Sequence, residues 1–205
     1  MATLSDLLGD LRTRLNDSGD TQVSQADKIL YLNYGIKATW PDLYLWVRDA
    51  TTTLVADTYE YNLPATFDND AKIFRVEVET TTTGKYQRME TGFWILPGDP
   101  QVIQFDDLPA AADKKIRISG VKRLSVLTQT TDTYDGPLGT EELPVLYAMG
   151  VVAGRRVDDR IDHTRYSTTA AHNGVGVETI QGSAQFWFGQ FDMALAKAAM
   201  PFPVA

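Results

Sequence analysis

The sequence predicts an α+β protein: a helical bundle built from the N- and C-terminal segments, with an antiparallel β-lobe inserted between them. Three observations carry that expectation. Leu4, Leu7, Leu8, Leu11 and Leu15 recur at helical steps near the start of the chain. From Leu43 onward, short alternating runs rich in β-branched and aromatic side chains take over. Helical spacing returns at TEELPVLYAMGVVAGRRVDDRI. The middle has no helices of its own, so the helices at the two ends are expected to pack on each other. The expected division is 1–42 and 139–200 for the bundle, 43–138 for the lobe, and 201–205 for an extended tail.

Each element has a local reason. Thr3, with Asp6 three residues on, supplies an N-cap and an acidic first turn, and DSGD ends the first helix. Ser24 caps a second helix through Ala26, Ile29, Leu30, Asn33, Ile36 and Trp40, which Pro41 stops. LYLWVRDATTTLV and TYEYNL read as strands. KIFRVEVETTTTGKYQRME reads as a hairpin turning at Gly84, with Ile73, Arg75, Glu77 and Glu79 on one face and Phe74, Val76 and Val78 on the other. QVIQF and KKIRISGVKRL add two more strands. Residues 125–139 read as a long surface loop. Pro144 fits only the first turn of the next helix, which places its start near Thr140. Gly150 and Gly154 form a flat stripe on which a neighbouring helix can lie closely. Asn173–Gly176 breaks the last helical region in two, and Phe186, Trp187, Phe188, Phe191 and Leu195 belong to the final helix. Pro201 and Pro203 hold the tail extended.

Composition narrows the function. With 27 acidic and 19 basic residues the net charge is -8, which repels nucleic acid and anionic lipid unless a basic patch forms locally. Lys114, Lys115, Arg117, Lys122 and Arg123 make one basic cluster, interrupted by Ile116, Ile118 and Val121 as on one face of a strand. There is no cysteine, which excludes disulfides, thiol catalysis and cysteine-based zinc sites. No apolar run reaches the roughly 18 residues of a membrane span. The start MATLSDLLGDLRTRL carries no apolar secretion-signal core, so synthesis in a cytosol and no membrane association are expected.

Reactive constellations are sparse. His163 and His172 lie nine residues apart, half a turn out of phase on a helix. Asp158, Asp159, Asp162 and His163 could serve a metal-assisted hydrolase, but Arg155, Arg156, Arg160 and Arg165 interleave with them as intrahelical ion pairs do. Asp68, Asn69 and Asp70 lack the closing glutamate of a calcium loop. Serine elbows, phosphate-cradling loops and dinucleotide fingerprints are absent. An enzyme, a cofactor and a metal are therefore not expected.

Aromatic residues point to surfaces instead. Trp40, Tyr44 and Trp46 form one cluster, and Phe186, Trp187, Phe188 and Phe191 another, for which core packing is the simplest use. Three adjacent aromatics on a helix cannot share one face, so at least one of Phe186, Trp187 and Phe188 is expected at a subunit interface.

The order of elements resembles the head-to-tail adaptor proteins of tailed bacteriophages, of the tail tubular protein A kind. The resemblance rests on the leucine helix TLSDLLGDLRTRLND, the "YLN" helix ILYLNYGIKATWPDL, the strand pair TTTLVADTYEYNLP, and the "LP...YA" helix ELPVLYAMGVVAGRRVDDR. A long final helix and a short tail complete it. It implies that TYEYNLP closes the first hairpin of the lobe. It further implies a non-enzymatic virion protein of the neck, forming a homo-oligomeric ring, commonly of twelve copies, between the portal and a tail or nozzle protein. The bundle would face the portal and the lobe the tail. The tail segment Pro201, Phe202, Pro203 and Val204 would dock on the portal, and DNA would pass through the lumen without sequence-specific binding. The alternative from another class is a carbohydrate-binding or adhesin-like β-module, for which the threonine-rich strands and surplus Trp and Tyr speak.

Overall fold

The computed structural model describes residues 1–89, 92–106, 113–166 and 177–201, with the backbone alone for 156–166 and 177–181. Among the described residues, four helices and two antiparallel sheets make it a mixed α+β protein. The described chain divides into two compact units, Met1–Leu43 with Leu124–Met200, and Tyr44–Arg123 with Pro201.

In the first unit, α1 spans Leu4–Leu15 and α2 spans Gln25–Ala38. Thr3 and Asp6 form a reciprocal capping box: the Thr3 hydroxyl accepts from the Asp6 amide at 3.2 Å, and the Asp6 carboxylate accepts from the Thr3 amide at 2.8 Å. Ser24 caps α2 by accepting from the Asp27 amide at 3.1 Å. The α1 leucines expected on one stripe are all buried.

The turn between the helices is built around a buried ion pair. Lys28 and Asp17 have no exposed side-chain surface, and the ammonium donates to the Asp17 carboxylate at 2.8 Å and to Asp20 at 2.7 Å. Asp17 also accepts from the amides of Thr21, Gln22 and Val23. Arg12 closes the group by donating to Asp20 at 2.8 Å. Lys28 in the first place, then the three loop amides, hold the Asp17 carboxyl well below the usual carboxylate range; Arg12 and then Lys28 do the same for Asp20.

α3 spans Glu142–Tyr166 and α4 spans Val177–Ala198. α3 packs against α1, α2 and α4. Two glycines set its distances. A Cβ on Gly35 would lie 2.8 Å from the Pro144 Cα and 2.9 Å from the Pro144 carbonyl oxygen, so α2 approaches α3 as closely as bare backbone permits. A Cβ on Gly150 would lie 2.8 Å from the ring of Phe188 on α4. The expected glycine stripe is used at that one position, because Gly154 meets nothing within 4 Å. Residues 125–139 also differ from a surface loop: Leu127 and Tyr134 are buried in this unit, and Asn33 of α2 bonds both the amide and the carbonyl of Leu127 at 2.8 Å. Asn173–Gly176, expected to break the last helices, lie outside the described residues.

In the second unit the strands are β1 Leu45–Asp49, β2 Glu60–Asn62, β3 Lys72–Glu79, β4 Tyr86–Arg88, β5 Phe93–Leu96, β6 Val102–Phe105 and β7 Ile116–Lys122. They form two sheets, ordered β1-β7-β3-β4 and β2-β6-β5. Leu54, Tyr61, Leu63, Phe67, Val76, Ile103, Phe105, Ile116 and Ile118 make the core. The β3–β4 hairpin forms as expected, with Gly84 at φ 79° in its turn.

Two strand expectations are corrected. β1 and β2 do not form a hairpin; β1 pairs with β7, and β2 with β6. The chain between them runs alongside the start of β7, where the Leu54 amide donates to the Lys114 carbonyl and the Ile116 amide to Thr52. Those bonds satisfy the backbone that a tight turn would have used. Within β3, an irregularity between Ile73 and Arg75 reverses the expected faces. Ile73 packs against the core beside Val76 and Val78, while the Phe74 ring meets Trp46 at 5.2 Å.

Two outcomes test this architecture. Tyr61 and Leu63 are 8% and 5% exposed, so Tyr61→Ala and Leu63→Ala should each lower unfolding free energy by about 2 to 4 kcal/mol in denaturant melts. Asp17 and Asp20 have depressed folded-state pKa values, so the stability they contribute is present above the unfolded carboxylate range and lost as pH falls. The urea midpoint should therefore fall between about pH 5 and pH 2, and fall less steeply in Asp20→Asn.

Candidate functional site

The aromatic run on α4 divides as helical geometry requires. Phe188 and Phe191 turn inward, their rings 5.3 and 5.2 Å from Tyr147 of α3. Phe188 is thereby an intramolecular packing residue, pressed on Gly150. Phe186 is 55% exposed and stands edge-on to Trp187 at 5.2 Å. These two line a groove of about 630 Å³ in the helical unit, together with Leu138, Leu143, Leu146 and Met193. Leu138 is 88% exposed and Met193 53%, so the groove continues into an apolar surface. Arg14 and Lys197 are the cations on its lining and Glu142 the anion.

Leu138 was not singled out by the sequence reading. The available signal was an apolar residue inside the turn-forming string DGPLGT, where nothing local can bury it.

Of the tail residues, Pro201 is exposed and its carbonyl accepts from the Tyr44 hydroxyl, while Phe202, Pro203 and Val204 lie outside the described residues. Tyr44 is buried and Trp46 is exposed, their rings 6.0 Å apart. Trp94 is exposed and donates through its indole to Asp106. The basic cluster is split rather than shared by one face: cross-strand register places Arg117 opposite Glu77 but Lys122 opposite Leu45, on the other side of the sheet.

His163, His172, Asp158, Asp159 and Asp162 fall among residues whose side chains are not described. Among the described residues no three His, Asp or Glu side chains gather where they could hold a metal ion. Asp70 is engaged by Arg123 at 3.0 Å, and its amide donates to Asp68. No helix among the described residues is long and apolar enough to cross a membrane.

The inward and outward aromatics separate experimentally. Phe188→Ala should lower unfolding free energy by about 2 to 4 kcal/mol, whereas Phe186→Ser should change it by less than about 0.5 kcal/mol in the same melts.

A family model, that of the SU10 adaptor protein, matches residues 2–200. No individual curated protein matches the chain. An apolar groove and exposed aromatics are what a protein that works by contact presents, and the family match runs through both compact units. The chain belongs to the SU10 adaptor protein family, a family of phage head-to-tail adaptors.

Proposed function

We propose that this chain is the repeating subunit of a ring, of twelve copies, that joins the portal to the tail in the virion neck and lets DNA pass through its lumen. The observation that carries the reading is the apolar surface that exposed Phe186, Leu138 and Met193 form with half-buried Trp187 on the helical unit of a family adaptor. A contiguous apolar surface rimmed by charge is the mark of a protein–protein contact. In this reading the helices form a bundle on the portal side and the β-lobe is an insert on the tail side. The tail from Pro201 to Val204 docks on the portal, its prolines lowering the entropy lost on docking. A net charge of -8 per subunit keeps the lumen wall from retaining a passing polyanion.

Because Pro201 is tied to Tyr44, the informative truncation stops after Pro201 rather than before it. Removing residues 202–205 should leave the melting temperature unchanged and weaken attachment to purified portal rings, read by light scattering and negative-stain imaging. Full attachment by the shortened protein would remove the tail from the docking role. Wild-type protein that never attaches to a portal ring would remove the adaptor-ring reading itself.

A further inference from the structure

One face of the four-stranded sheet is lined with cations. Antiparallel register sets Arg48 and Arg75 on either side of Ser119, and Arg117 and Arg88 on either side of Glu77. Residues directly opposite in such pairs share a face. The opposite face of the same sheet carries Val76, Ile116 and Ile118 into the core. The charges do not cancel. Glu77, almost fully buried, takes both Arg75 and Arg117 at 2.6 Å. Glu79 is the other carboxylate on this face among the described residues, and it accepts from the Gly84 amide. Among the described residues, four arginines against two carboxylates leave a net positive face in a chain whose total is -8. Arg48 and Arg88 are exposed and have no carboxylate partner among the described residues. Between Arg48 and Arg75, Ser119 is 5% exposed and its hydroxyl has no hydrogen-bond partner among the described residues. A buried hydroxyl left without a partner marks a place where an acceptor belongs.

The negative charge sits elsewhere. Residues 1–43 and 124–200 hold 15 acidic and 9 basic residues, against 12 and 10 in residues 44–123. Asp6, Asp10, Glu141 and Glu142 line one open cleft between the start of α1 and the start of α3. Arg14 pairs with Asp10 at 3.0 Å and the N-terminal ammonium acts on Asp6, which leaves Glu141 and Glu142 without a cationic partner among the described residues.

We propose that the arginine face of one copy docks on the acidic cleft of a second copy, forming the subunit-to-subunit contact of the ring. The proposal rests on the ring reading above and adds the surfaces that close it. Charge complementarity selects the occupant. A polyanionic nucleic acid would meet a chain carrying -8, multiplied around any ring, whereas the cleft of a neighbour presents carboxylates at a fixed site. The arginine face repels a copy of itself, so the contact joins two different patches, which is the arrangement that generates rings rather than two-fold dimers. A carboxylate arriving between Arg48 and Arg75 also gives the Ser119 hydroxyl its acceptor.

Two charge-reversed proteins test this, with folding checked by circular dichroism. One carries Arg48→Glu and Arg88→Glu; the other carries Asp10→Arg and Glu142→Arg. Each is titrated onto purified portal rings, and copies bound per portal are counted by mass photometry. Each alone should need about tenfold more protein than wild type to fill a ring, because like charges then face each other at every junction. An equimolar mixture should recover most of that loss, since alternation of the two restores opposite charges at each contact. Variants that each fill the ring like wild type overturn the proposal and leave the ring reading standing. Loss without recovery in the mixture overturns it too, and shows that the reversed residues meet the portal instead. Retention of a DNA oligonucleotide by wild type but not by the arginine variant, with ring filling unchanged, assigns the face to nucleic acid and rejects the proposal. A wild-type protein that never forms a ring on the portal overturns both readings together.

Discussion

The helical unit depends on how closely α2 lies against α3. At Gly35 the two backbones come within the reach of a single methyl group, with the Pro144 Cα and carbonyl in the way. Pro144 can sit there because the first turn of a helix has no use for its missing amide. That approach seats α3 in the middle of the unit, where it also touches α1 and α4. Close packing then fixes the facing side chains, because interiors fill space as densely as organic crystals. Phe188 fills the gap over Gly150, Tyr147 takes the edges of Phe188 and Phe191, and α4 is left with one rotational setting. With that setting fixed, Phe186 has no inward place and Trp187 is only half-buried beside it. The exposed aromatic surface is thus a consequence of core packing two residues away.

What could be read from the sequence was local. The α1 leucines, the Thr3 and Ser24 caps, the Gly84 turn and the position of Pro144 all act within one or two turns of the residues that encode them. What could not be read was non-local or depended on a single inserted residue. β1 pairs with a strand about seventy residues later because the backbone at Thr52 and Leu54 finds partners beside Ile116 and Lys114, and no window of the sequence contains both. One irregularity in β3 moved Ile73 into the core and Phe74 out of it, since strand faces alternate with every residue. Nothing in the sequence near Lys28 signals that it is buried. Its burial requires Asp17 and Asp20 to curl back from a turn that the sequence marks only as DSGD. The candidate site was half legible: three consecutive aromatics had to diverge, but the direction of each was set by Gly150 and Tyr147 on a different helix.

The distribution of charge repeats that lesson at a larger scale. Net charge gives one number for the whole chain and hides a sheet face that is positive. Alternation in β3 and β7 puts Arg75, Glu77, Arg117 and Ser119 together on one side, yet the strands responsible are about forty residues apart. Glu77 is what makes that face tolerable within one subunit, as its single carboxylate engages two guanidiniums and keeps their side chains ordered. Arg117 is further held over the ring of Tyr86 at 4.4 Å. Such pre-ordered cations lose little freedom when an anion arrives.

The pairing of β1 with β7 has a genetic consequence. Leu45 stands directly across from Lys122, so the points where the polypeptide departs toward the strands and returns from them are cross-strand partners. Partners of that kind have Cα atoms about 5 Å apart. A segment with such closely spaced ends can be exchanged for another, by recombination or by design, with a two-residue splice and no stretch imposed on the helices.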